Sequence, residues 1–301
     1  MPVERPVERI PRPAGEPVAP AVAEAALDPL PSLRTLTGRL ARLAAVRSEL
    51  TERQRTKCYG ELALIHHYLR SWVLDGSLPR RPFAAYLPAW TGHLADHCAR
   101  IDETAGLYGV QPYLWLRATG YRIVTAERTV SRLARSGARP DSIGEYFSLW
   151  KAGLAPRRPN WRAALPRWLA CWGDTPESWD HNDYLITHAA FYITDFGNEA
   201  APVEPSDLDR LRRLNEHLLR VSAARADWDL AGECLIALTL LGGHETAEYR
   251  RATHGFCRAR QADGPGAGWR SYHTTLVDIL RCAVALRAAG RDGPRQDGGS
   301  R

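Results

Sequence analysis

Four polar residues each stand just ahead of a hydrophobic run: Glu145 in GEYFSLW, His188 in THAAFYI, Glu233 in GECLIAL and His273 in YHTTLVDIL. They are spaced 43, 45 and 40 residues apart. Two imidazoles and a carboxylate, His188, His273 and Glu233, make a ligand set for a divalent transition metal that keeps open positions. The same three form an acid–base set if a carboxylate orients each imidazole. Asp229, four residues before Glu233, shares its helical face and supplies a second carboxylate. In THAAFYITDFG, residues seven apart return to nearly the same helical angle, so His188, Tyr192 and Asp195 are expected on one stripe, with Asp195 as an orienting group. A carboxylate close to a helix C-terminus opposes the helix dipole, so Asp195 requires a partner. A single histidine in an apolar helix is most commonly a hydrogen-bonded core residue. The recurring phase favours a shared site instead, because burying unpaired charge is costly.

The elements that must position these residues are helices. Apolar residues recur at helical spacing between turn signals, and no segment alternates like a strand for long. The pattern predicts helices over 32–50, 52–74, 84–105, 111–136, 141–152 and 160–172, then 180–196, 206–224, 228–241, 244–259 and 269–289. Ser206 and Asp209 in SDLD read as a capping box. Apolar helices alternate with amphipathic ones such as SDLDRLRRLNEHLLRVSAAR at a period of about 40 residues, the mark of stacked helical hairpins. The expected fold is all-α, an α/α barrel or incomplete toroid over 32–290, with its apolar helices on the inside. Residues 1–31 hold eight prolines and a tandem PVERPVER, and read as a disordered arm. Residues 291–301 read as a disordered tail.

With this period in hand, the chain resembles the α/α toroids of prenyltransferases, terpenoid cyclases and lanthipeptide cyclases. RSYHTTLVDIL is similar to the Tyr-His-Thr stretch around a zinc-ligating histidine of protein prenyltransferases, which puts His273 at that position. The residues ahead of Trp228, VSAARAD, lack the Asp-x-Cys pair of those enzymes. THAAFYITDFG, DWDLAGECLIAL and YHTTLV together resemble an actinobacterial family associated with natural-product gene clusters.

Other motifs carry less. His93 and His97 in HLADHC have a metal-ligand spacing without the glutamate of a zincin helix. DHNDY at 180–184 resembles part of an aspartate-rich magnesium motif, and Asp180 equally suits a helix cap. The ten tryptophans mostly close the core, and some suit the walls of an apolar pocket. The net charge of +6 rests on arginine, with lysine only at Lys57 and Lys151 and acids spread along the same helices. No nucleic-acid signature accompanies it, and no nucleic-acid partner is expected. No apolar run is long enough to span a bilayer, and six cysteines without a CxxC pair fit free thiols in a cytoplasm.

These readings favour a cytoplasmic enzyme of natural-product metabolism that acts on a small molecule or peptide. His188 and His273 are its expected ligands or acid–base groups, with Glu233 and Asp229 as carboxylate partners, and a divalent transition metal is a cofactor that would fit. The competing expectation is a non-catalytic helical-repeat protein that binds a peptide or a partner enzyme.

Overall fold

A computed structural model describes residues 29–45, 51–172, 184–244, 246–262 and 270–292. Among the described residues the chain is all-α and no strand forms. Apart from the single, unnumbered helical turn Arg80–Phe83, the first six helices are α1 (Leu30–Ala45), α2 (Glu52–Leu74), α3 (Leu87–Cys98), α4 (Leu107–Ala118), α5 (Val124–Arg135) and α6 (Ile143–Lys151). They are followed by α7 (Trp161–Cys171), α8 (Tyr184–Ile193), α9 (Pro205–Ala224), α10 (Trp228–Leu240), α11 (Ala247–Ala262) and α12 (Arg270–Asp292). No helix among the described residues is long and apolar enough to cross a membrane. Most of the expected prolyl arm and tail lies outside the described residues, as do Asp180 to Asp183 of DHNDY.

Local chemistry sets the helix limits. Thr51 and Gln54 form a reciprocal capping box at the start of α2. Asp227 caps α10 by accepting from the Leu230 N–H, and Ser142 caps α6 by accepting from the Glu145 N–H. The expected helix over 111–136 is instead two, α4 and α5. Gly120 takes a left-handed backbone (φ +99°) that ends α4 and turns the chain back. The expected capping box at Ser206 is also displaced. Pro205 occupies the first helical turn, so α9 begins after Glu204, and Asp209 pairs with Arg212 and Arg213.

The even-numbered helices contact one another in chain order: α2 packs on α4, α4 on α6, α8 on α10, α10 on α12, and α12 on α2. Between α6 and α8 the contact is aromatic, with the Tyr192 ring 4.9 Å from that of Phe147. Odd-numbered helices pack against this set, α1 on α12, α3 on α2 and α4, α5 on α4, and α11 on α10. Burial contrasts α10 with α5, while α6 buries only Phe147 and Ser148. Every residue of α10 from Leu230 to Thr239 is buried, whereas α5 buries only Ala126, Thr129, Val130 and Leu133, a single face at helical spacing.

Gly232 lets α10 come this close to its neighbours. A Cβ there would stand 2.6 Å from both a Phe256 ring carbon and Val277 Cγ1. Both are buried side chains with little room to yield. Gly232→Ala should therefore destabilise by about 1–3 kcal/mol through overpacking, exceeding the ~1 kcal/mol gained from helix propensity. Denaturant unfolding checks this, and a variant as stable as the parent would contradict the tight packing.

Candidate functional site

Because each even-numbered helix is followed by an odd-numbered return, the even-numbered helices can run in one direction. Their N-terminal halves do meet. A cavity of about 560 Å³ is lined there by Gln54, Lys57 and Glu61 of α2, Tyr108 of α4, His188 of α8, Glu233 of α10 and His273 of α12. Further along the same helices the lining turns apolar and aromatic, with Trp115, Phe191, Tyr192, Phe196, Ile236 and Leu280. Polar groups thus stand at the positive ends of several helices, where the dipoles favour anions.

Glu233 is the centre of the polar layer. Its side chain is only 3% exposed and is shared between two imidazoles: His273 Nε2 lies 3.2 Å from Oε1, and His188 Nε2 lies 3.4 Å from Oε2. The Thr187 hydroxyl donates to Oε2 at 2.6 Å. His273 turns its second nitrogen to Glu61, with Nδ1 3.0 Å from Oε2. Asp229 stands beside it, Oδ2 being 3.5 Å from His273 Nε2, and accepts from the Tyr184 and Thr274 hydroxyls, each at 3.0 Å. Glu61, His273, Glu233 and His188 therefore form one continuous chain of charge-assisted contacts.

The charges follow from the contacts. Burial acts to raise the Glu233 carboxyl, but His188 and His273 together hold it well below the usual carboxylate range. Burial acts to lower the His273 pKa, and Glu61, Glu233 and Asp229 reverse this and hold it well above the ordinary value. His273 is thus an imidazolium donating from both nitrogens. Asp229 goes the other way. Burial raises its carboxyl, and neighbouring Glu233 adds to that against the opposing pull of His273.

The three side chains expected as metal ligands meet, then, but as hydrogen-bonded pairs. The two imidazole Nε2 atoms address different oxygens of Glu233, and both nitrogens of His273 are taken up by carboxylates. Among the described residues no group of three or more His, Cys, Asp or Glu side chains is placed to hold a metal ion. The residues present do not fit a resident metal at this position.

Asp195 belongs to a different cluster. Helix α8 ends at Ile193, and Asp195, Phe196 and Gly197 all take left-handed backbone (φ +47°, +53° and +82°). This turn takes Asp195 off the stripe of His188 and Tyr192. It accepts from the Tyr68 hydroxyl at 2.6 Å and pairs with Lys151 Nζ at 2.9 Å, both partners being largely buried. The carboxylate disfavoured by the helix end is thereby neutralised by an ammonium. Tyr192 does line the cavity, and its ring is stacked with Trp161 at 6.5 Å. Glu145 leaves the repeat: its carboxylate accepts from the Asp141 N–H at 2.8 Å and serves the start of α6. His93 and His97 do not line the cavity, and His97 stacks on Tyr59 at 4.0 Å.

The geometry can be set beside known proteins. Residues 30–283 match the family model described as Domain of unknown function (DUF6895). The chain belongs to this family. No curated protein and no solved structure matches it.

Glu61 is the partner that the repeat reading missed. Its signal was present in KCYGELALI, where a Gly-Glu pair precedes an apolar run as Gly232-Glu233 does in GECLIAL. Thr187 and Tyr184 carried no comparable signal, since a hydroxyl one turn from a histidine is common in helices.

Two predictions follow from these charges. The raised His273 pKa means its stabilisation is full below about 6.5, the unfolded value, and is lost as pH rises through the folded value. Unfolding free energy should decline through the alkaline range in the parent and stay flatter in His273→Gln, as denaturant titrations at stepped pH would read. At the other cluster, Asp195→Asn or Lys151→Met alone leaves one buried charge without its partner and should cost about 3–5 kcal/mol. The double variant should lose less than the sum of the two. Additive losses would show that the pair is not coupled.

Proposed function

We propose that the even-numbered helices form the inner ring of an α/α barrel and that the cavity between their N-terminal halves is the active site of an enzyme using acid–base chemistry. The order of helix contacts and the complete burial of α10 from Leu230 to Thr239 support the ring. The observation that carries the enzymatic reading is the division of roles around Glu233. His273 is held charged between carboxylates, while His188, with 36% of its side chain exposed, lines the cavity on the other side of the same carboxylate. With Nε2–H directed at Glu233, His188 keeps its lone pair on Nδ1, the arrangement of a carboxylate-oriented general base. Glu233 stabilises the imidazolium formed when His188 takes a proton, and His273 with Thr187 fixes Glu233.

The substrate of this reading is a small molecule or the side chain of a peptide, held with its polar, reacting part among Glu61, His188 and Tyr108 and its apolar part against Trp115 and Phe191. The resemblance to a family of natural-product gene clusters supports a specialised metabolite as that substrate. The free thiols of Cys58, Cys98 and Cys257 support a cytoplasmic setting.

Incubating the purified protein with a small-molecule extract of its source, followed by mass spectrometry, tests the proposal. The parent should consume a compound, and His188→Ala should lower the rate by about 10²–10⁴-fold. The cost in stability should be about 1 kcal/mol or less, because Glu233 keeps its bonds from His273 and Thr187. A compound retained unchanged by both proteins would favour a binding module over an enzyme.

A further inference from the structure

A second cavity, of about 530 Å³, lies further along the same helices. Its lining continues that of the first. On α12 the first cavity takes His273, Val277 and Leu280, and the second takes Val284, Arg287 and Ala288. On α10 the succession is Glu233 and Ile236, then Leu240. On α12 from His273 to Val284 these steps of three and four residues follow one face, and at the end of α10 Thr239 and Leu241 join the lining beside Leu240. From His273 to Ala288 that face runs roughly 22 Å at 1.5 Å per residue.

Phe196 is the one residue, among those described, that lines both cavities. It is 2% exposed and packs against Tyr68, Phe191 and Tyr192 at ring separations of 4.4, 5.4 and 6.3 Å. Its backbone is left-handed, a conformation rarely taken by a large side chain, and the neighbouring Asp195 is anchored by Lys151 and Tyr68. The turn after α8 is thus held in an uncommon shape that sets an aromatic ring between the apolar part of the first cavity and the second. The lining of the second mixes Leu208, Leu240 and Val284 with Thr194, Asn198 and Arg287. Below Phe196 the packing is close again, since a Cβ on Gly197 would lie 2.9 Å from Leu240 Cδ2.

Resting on the reading of the first cavity as a substrate site, we infer that the ligand is a linear amphiphile and that Phe196 is the end wall that limits its chain length. The polar head stays in the layer of His188 and His273, where Arg53 and Lys57 also line the mouth and suit a carboxylate. The unbranched chain runs along the apolar faces of α10 and α12 and ends on the Phe196 ring. A shorter side chain at 196 joins the two cavities and admits a longer chain.

Calorimetric titration with a series of n-alkyl carboxylates tests this on the full chain. In the parent, affinity should rise roughly fourfold per added methylene and then level off once the chain end meets Phe196. In Phe196→Ala the rise should continue to longer chains before levelling. Phe196→Leu, a milder change that guards against a failure to fold, should level off between the two. If the parent and every folded variant level off at the same length, Phe196 is not the wall. If no carboxylate binds the parent with a length dependence, both the wall and the reading of the cavity as an apolar substrate site are overturned.

Discussion

A carboxylate placed inside an apolar helix has to be neutralised by its surroundings, and Glu233 makes that demand on two neighbouring helices at once. It sits in the stretch of α10 where every residue is buried, so water cannot supply the missing hydrogen bonds. His273 of α12 and His188 and Thr187 of α8 supply them instead. Each helix is thereby fixed in rotation and in height relative to α10, since a slip of one residue would turn the imidazole about 100° away. The apolar packing around Gly232 brings these helices close, and the carboxylate decides how they face one another.

The sequence made the helices and the phase of the polar residues legible, because both are periodic. His188, Glu233 and His273 stand at equivalent turns of successive apolar helices, and this is why they meet. Asp195 was assigned by extending the same periodicity past Ile193, where a run of left-handed residues ends it. Only Gly197 of that run announces itself by residue type. The break between α4 and α5 was hidden for a similar reason: apolar residues continue on both sides of Gly120, and a lone glycine inside a helical pattern is compatible with either outcome. The pairing of Glu61 with His273 was harder to read than the helical phase of Glu61. Nothing near His273 identifies Glu61, which lies more than 200 residues earlier and reaches it only because α12 packs on α2.

Lys151 and Asp195 solve at the far end of α8 the problem that Glu233 solves at its start. The helix end and burial both disfavour a carboxylate, and an ammonium stands 2.9 Å away to pair with it. The pair adds little net stability over an apolar substitute, by the general behaviour of buried ion pairs. Its value is geometric: it anchors the turn whose next residue is Phe196, and so a charge pair outside the first cavity determines where that cavity stops.

The balance of charge in the polar layer explains why its carboxylates differ. Glu61, Asp229 and Glu233 all lie within 3.5 Å of His273, which brings one positive charge. Lys57 reaches Glu61 at 3.5 Å, and His188 stands against Glu233. Glu233 faces two imidazoles, whereas Asp229 shares only His273 and leans on two hydroxyls. The carboxylate with one imidazole neighbour is the one whose proton affinity rises on burial, and the one with two is held low despite its burial. Two carboxyl groups one helical turn apart are thereby set to opposite protonation tendencies, burial prevailing at Asp229 and the imidazoles prevailing at Glu233.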